Sequence, residues 1–255
     1  MKYLLKHKTI ITIILSLIII FLIYSVNADK KIRYIALGDS LAAGQNPYGK
    51  IDYGYTDYVA NYLNKNSLLK TYSKTFAKSG YRTIDLKNDI NQNKTVKLKQ
   101  EDLNIKKALR EANLVTLSIG ANDFLEKLNS SIYSVNLPPV ENLTKIVDEV
   151  IDSVDKTIVL IKKYAKGHLI VIGYYNPLPK LLNSSTKQLD EVFAYTKEKY
   201  QNICNKNQAT YIDIYELMKK HPEYLPNSFD IHPNIKGYEA ISKEIINVLD
   251  KTVKN

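Results

Sequence analysis

Beyond residue 31 the chain alternates short apolar runs with longer stretches in which apolar positions recur every three or four residues. Short runs of this kind are strands, and the longer periodic ones are amphipathic helices. The pattern predicts strands over residues 32–37, 72–77, 114–119, 168–172 and 210–214. It predicts helices over 55–63, 83–90, 106–111, 142–164, 185–207 and 237–249. In the longest of these, Leu143, Ile146, Val147, Val150, Ile151 and Val154 fall on one stripe, and Gly167 stops the run. The polar stretch 91–101 reads as a surface loop, and Leu137-Pro138-Pro139 as a loop bordering a substrate groove.

Strand and helix in alternation, with short connections, imply an α/β fold: a parallel sheet with helices on both faces. Right-handed crossovers then make a doubly wound sandwich the economical topology. Ligands of such sheets sit beyond the carboxyl ends of the strands. Gly38-Asp39-Ser40-Leu41, Ser79-Gly80 and Gly120-Ala121-Asn122-Asp123 each follow a predicted strand, so three unconnected segments converge on one edge.

The first residues do not belong to this pattern. Lys2, Lys6 and Lys8 precede an apolar run over 10–26, broken by Thr12, Ser16, Tyr24 and Ser25. A basic start before an apolar run is an export signal. Two readings stay open: a cleavable signal ending at Ala28, or an anchor near the lower limit of the roughly 17–25 residues that span a bilayer. Either places the protein outside the cytoplasm, secreted or held at the membrane, with a leader over 1–28 and one domain over 29–255. Cys204 is the lone cysteine, which excludes an intramolecular disulfide and reads as a small core residue. The net charge of +10 includes the leader lysines; the remaining surplus suits a cell wall, acidic headgroups or simply a solvated surface. No basic cluster interleaved with stacking aromatics appears, which speaks against nucleic acid.

The strand ends carry chemistry. Attack on an ester needs a hydroxyl, a base to take its proton, a group to orient that base, and donors for the developing oxyanion. Ser40, after a strand and a glycine, supplies the hydroxyl, and His232 in Asp230-Ile231-His232-Pro233 the base. The N–H groups of Ser40 and Gly80 and the amide of Asn122 supply three donors. Gly80 lets substrate approach the backbone closely. Asp39 and Asp123 read as loop-bracing acceptors, and His7, His168 and His221 as structural. Tyr48, Tyr53 and Tyr55 are candidates to line an acyl or alcohol pocket, with packing an equal alternative. No histidine pair has metal-ligand spacing, and no phosphate-binding glycine loop is present.

In order and spacing, these four segments resemble the sequence blocks of the SGNH (GDSL) hydrolases, over essentially the whole chain after the leader. The resemblance implies a flavodoxin-like three-layer sandwich with a five-stranded parallel sheet of order 2-1-3-4-5, and hydrolysis of carboxylic esters without metal or organic cofactor. It implies Ser40 as nucleophile, His232 as base, and Ser40, Gly80 and Asn122 as oxyanion hole. One position departs: the family's acid stands three residues before the histidine, where this chain has Phe229. Asp230, two before, is the nearest carboxylate and the candidate acid, with a backbone carbonyl orienting the ring as the alternative. Lipid, lysophospholipid or small acyl esters are the expected substrates. A cell-envelope glycan deacetylase or acyltransferase, and a non-catalytic envelope-binding protein of the same fold, are the rivals.

Overall fold

A computed structural model of the chain describes residues 15–16, 31–97, 101–128, 138–176 and 186–253. Its first half contains β1 (Ile32–Gly38), α1 (Ser40–Ala43), α2 (Tyr55–Lys65), β2 (Leu69–Ala77), α3 (Thr83–Asn91), β3 (Thr95–Val96), β4 (Leu103–Asn104) and α4 (Ile105–Glu111). Then follow β5 (Leu114–Ser118), α5 (Ala121–Leu128), α6 (Val140–Tyr164), β6 (His168–Ile172), α7 (Thr186–Lys206), β7 (Thr210–Ile212), α8 (Tyr215–Lys220) and α9 (Ile235–Val253).

β1 is an apolar run because both of its faces are covered. Ile35 and Leu37 enter one core, with Val115, Leu117, Leu169 and Val171 of the neighbouring strands and apolar residues of α3, α4, α6 and α7. Tyr34 and Ala36 enter the other, with Ile170, Ile172 and Ile212 and apolar residues of α1, α2 and α9. The result is a three-layer α/β sandwich. Its sheet has the order β2-β1-β5-β6-β7 with every pairing parallel. Counted along the chain, its strands run 2-1-3-4-5, as expected.

That order places a topological switch between β1 and β5, since the chain leaves β1 toward β2 and returns on the other side. A crevice opens beyond the carboxyl ends of strands at such a point. Gly38-Asp39-Ser40 and Gly120-Ala121-Asn122 flank it.

Several boundaries differ from the sequence reading. Residues 91–101 are not wholly loop: Thr95 and Val96 pair antiparallel with Asn104 and Leu103, and Val96 and Leu103 pack against the core. Two-residue strands carry no periodicity to read. α5 and α8 were not expected, although Phe124, Leu125 and Leu128 of α5 stand at helical spacing. β7 stops at Ile212 because the Asp213 carboxylate accepts the N–H of Tyr215 and turns the chain into α8 (2.9 Å). The segment 1–28 lies outside the described residues apart from Leu15 and Ser16. Among the described residues no helix is long and apolar enough to cross a membrane.

Candidate active site

Three strand ends and one loop build the site, each held by residues that leave little choice. Gly38 has φ +129°, and a Cβ there would lie 1.9 Å from the Ser118 carbonyl oxygen, so only glycine lets β1 end against β5. The chain then turns at Asp39. Its buried carboxylate caps α1 by accepting the Leu41 N–H (3.0 Å), and it also accepts the hydroxyls of Ser118 (3.0 Å) and Tyr174. Ser40 thereby becomes the first residue of a four-residue helix. Its N–H has no intrahelical acceptor there.

β2 ends in a turn in which the Tyr81 N–H donates to the Lys78 carbonyl (3.2 Å). Gly80 sits in it at φ +78°, and a Cβ there would meet nothing within 4 Å. Backbone conformation, rather than crowding by the protein, is what demands glycine at this exposed position. Among the described residues, the N–H groups of Ser40 and Gly80 donate to no acceptor. At the end of β5, the Asn122 amide donates one hydrogen to the Tyr81 carbonyl (2.9 Å), which ties it to the Gly80 turn. Its other hydrogen remains for a ligand. Asp123 accepts the N–H and hydroxyl of Thr83 (2.9 and 2.6 Å), locking the start of α5 to the start of α3.

His232 comes from the loop before α9 and is only 8% exposed. Its Nε2 lies 2.7 Å from Ser40 Oγ, and its Nδ1 lies 2.8 Å from Asp230 Oδ1. The same carboxylate oxygen accepts the His232 backbone N–H (2.8 Å). This local turn lets an acid two residues before the histidine reach the ring, whereas Phe229 points away and is 93% exposed. The Tyr175 hydroxyl holds the loop by donating to the Ile231 carbonyl (2.6 Å). With Nδ1 protonated and facing Asp230, Nε2 is free to accept the Ser40 proton.

Burial raises the Asp39 carboxyl to about 6, against the opposing hydrogen bonds from Tyr174, Ser118 and the Leu41 N–H. Burial also pushes the Cys204 thiol up to about 12, as suits a core residue.

From Ser40, His232 and Asn122 an apolar cleft runs between α5, α6 and α7. Leu125, Val147, Ile151, Val192 and Phe193 are among its walls, and the phenolic ring of Tyr200 closes it near Gly120. The tyrosines singled out from sequence do not line it. Tyr48 is 76% exposed, Tyr55 is buried in the α2 core, and Tyr53 packs edge-on against Tyr58. The cleft walls were missed because the α6 stripe reads as packing and Asn122-Asp123, at the start of α5, reads as a turn. Of the proline loop, Leu137 lies outside the described residues; the Pro138 carbonyl accepts the Gln188 amide (2.6 Å) and Pro139 precedes α6. His221 contacts Glu223 (2.9 Å) and His168 opens β6, both away from the cleft. Among the described residues no three His, Cys, Asp or Glu side chains are grouped to hold a metal.

A doubly wound sandwich with serine, histidine and aspartate aligned at its switch point has the geometry of a serine hydrolase. The chain matches the model of the GDSL-like Lipase/Acylhydrolase family over residues 36–240, so it belongs to that family and is an ester-bond hydrolase. YpmR, an uncharacterized protein of Bacillus subtilis strain 168, is 25% identical over 220 residues, covering 85% of this chain and 80% of that protein. The spore germination lipase LipC of Bacillus licheniformis is 24% identical over 222 residues, 84% of this chain and 94% of that one. Among solved structures, the lipase Lip_vut3 from a goat rumen metagenome shares the fold with a TM-score of 0.64 at 22% identity, over 84% of this chain and 95% of that one. The acetylxylan esterase Axe2 of Geobacillus stearothermophilus shares it at 0.55 and 15% identity, over 84% and 92%.

Proposed function

We propose that the protein cleaves carboxylic esters of apolar acyl chains through a Ser40–His232–Asp230 acyl-enzyme mechanism. The observation that carries this reading is the 2.7 Å contact between Ser40 Oγ and His232 Nε2, with Asp230 at Nδ1. Ser40 Oγ attacks the ester carbonyl as His232 Nε2 takes its proton. The carbonyl oxygen, now anionic, accepts from the N–H groups of Ser40 and Gly80 and from the free Asn122 amide hydrogen. The C–O bond to the alcohol breaks as His232 returns the proton to it. Water then attacks the acyl-enzyme through the same base and releases the acid. Asp230 keeps the proton on Nδ1 and stabilises the imidazolium.

The cleft supports the choice of acyl group. Its walls are almost wholly aliphatic or aromatic carbon, which suits a hydrocarbon chain and offers few partners to a sugar. An acetyl ester of a polysaccharide would leave most of it empty. The basic start and apolar run of residues 1–28 support export, with residues 29–255 as the hydrolase domain working outside the cytoplasm, retained at the membrane or released. Fractionation of cells and medium distinguishes the two. For the chemistry, Ser40→Ala is expected to lose p-nitrophenyl ester turnover by about 10³-fold or more with an unchanged melting temperature. It should also lose fluorophosphonate labelling. Retained turnover would refute Ser40 as nucleophile.

A further inference from the structure

Gln45, one residue past the left-handed Gly44 that ends α1, is placed with unusual thoroughness. Its N–H donates to the Ser40 carbonyl (3.0 Å) and its carbonyl accepts the Tyr238 hydroxyl of α9 (2.6 Å). The neighbouring Pro47 carbonyl accepts the Asn227 amide (2.8 Å), lacing this loop to the one that carries His232. Thus fixed, the Gln45 carboxamide spans the rim of the site. Its amide nitrogen lies 3.2 Å from His232 Nδ1, and its amide oxygen accepts the hydroxyl of Ser79, the residue before Gly80. A single half-buried side chain therefore touches the base and the turn that offers the Gly80 N–H.

Two neighbours at Nδ1 raise a question of protons. The Asp230 oxygen stands at 2.8 Å and the Gln45 amide at 3.2 Å. A ring nitrogen carries one proton or one lone pair, never both. When Nε2 accepts from Ser40, Nδ1 holds the proton and donates to the nearer carboxylate. The NH2 group that faces Nδ1 in the structure cannot bond to Nδ1–H, so the amide meets that state by a half-turn about its own axis, which brings its oxygen to Nδ1–H and its NH2 group to Ser79 Oγ. Ser79 follows, because a hydroxyl donates or accepts equally well. The need for this second contact lies in Asp230. One of its oxygens serves both the backbone N–H and the ring N–H of His232, so the ring has a single carboxylate atom for its anchor unless a neighbour adds a second contact.

We propose that Gln45 is a positioning residue for the reaction: it restrains the imidazole at Nδ1 beside Asp230 and ties that ring to the Ser79-Gly80 turn. Base and oxyanion donors then keep one spacing through acylation and deacylation. The proposal deepens the Ser40–His232 reading and rests on it. In the full-length chain, Gln45→Met keeps the size and loses both hydrogen bonds, while Gln45→Glu keeps an acceptor. Gln45→Met is expected to lower kcat by about 10-fold or more, since small misplacements of reacting groups are expensive in rate. KM and melting temperature should stay at the parent values, and the low-field NMR signal of the His232 Nδ1 proton should move. Gln45→Glu should recover part of kcat and shift the pH midpoint of kcat/KM upward, because an added carboxylate favours the protonated ring. A Gln45→Met enzyme with kcat within about twofold of the parent would overturn the proposal, as would a loss matched by a lower melting temperature, or an unmoved Nδ1 signal. Failure of the parent itself to turn over any ester would instead sink the acyl-transfer reading, and the NMR signal would still report on the contact.

Discussion

At Asp39 a carboxylate is buried beside the candidate nucleophile, where sequence had suggested only a brace. Three donors converge on it, yet desolvation prevails and lifts it from 3.8 to about 6. The folded state thus binds this proton more tightly than the unfolded chain does. Stability contributed by the protonated form is complete below about pH 4 and is lost as pH rises toward about 6, because the native state holds more protons in that window. A shift of this size corresponds to about 3 kcal/mol. Asp39→Asn removes the titration, and its unfolding free energy should change less than the parent's between about pH 4 and 6. Denaturant melts at both ends of the window measure this difference. Equal slopes in parent and variant would show that Asp39 ionises as easily folded as unfolded. Asp230 teaches the complementary lesson. Its identity as the nearest carboxylate was legible, but its reach was not, because that depends on a turn in which one oxygen accepts both the backbone and the ring N–H of His232.

Among the elements, those whose pattern repeats over several turns or along a whole strand were legible. β6 and the long α6 follow directly from apolar spacing, and so do the ends of β1, β2 and β5, which is why Ser40, Gly80 and Asn122 could be assigned to one edge. The substrate wall was not legible, for a physical reason. Val147 and Ile151 lie on the same α6 stripe as Val154 and Ile158, and nothing in their chemistry tells which apolar residues face a neighbour and which face a void. If the void holds an acyl chain, each added methylene buried is worth about 0.8 kcal/mol, so kcat/KM should climb by about two- to fourfold per carbon until the cleft is full. Val147→Phe places a ring in it. That variant is expected to lose decanoate ester hydrolysis by about 10-fold or more while keeping most butyrate hydrolysis, since the short chain never reaches the ring. A melting curve separates blockage from overpacking, which lowers stability for all substrates alike. Parallel losses on both esters at unchanged stability would place the acyl chain elsewhere.

Across the whole molecule, the cleft and the larger core are one structure. Leu143, Val147, Val150, Ile151 and Val192 line the cleft and belong to the core that packs α6 and α7 on the sheet. Close-packed interiors do not leave apolar space unfilled without a penalty in stability. The empty enzyme should therefore be less stable than one with the cleft occupied, quite apart from any bond formed at Ser40. Alkylboronic acids separate the two contributions, because the boron bonds to a reactive serine whatever the length of the chain attached. A ligand held at 100 times its dissociation constant stabilises by about 2.7 kcal/mol, and for a chain of this size each kcal/mol raises the melting temperature by about 2–4 °C. At equal free concentration, decylboronic acid should bind more tightly than methylboronic acid and raise the melting temperature by several degrees more. In Ser40→Ala the decyl compound should keep part of its effect, since the hydrocarbon still fills the cleft, whereas the methyl compound should lose all of it. Equal shifts from the two acids in the parent would mean that the space between α5, α6 and α7 does not receive the chain.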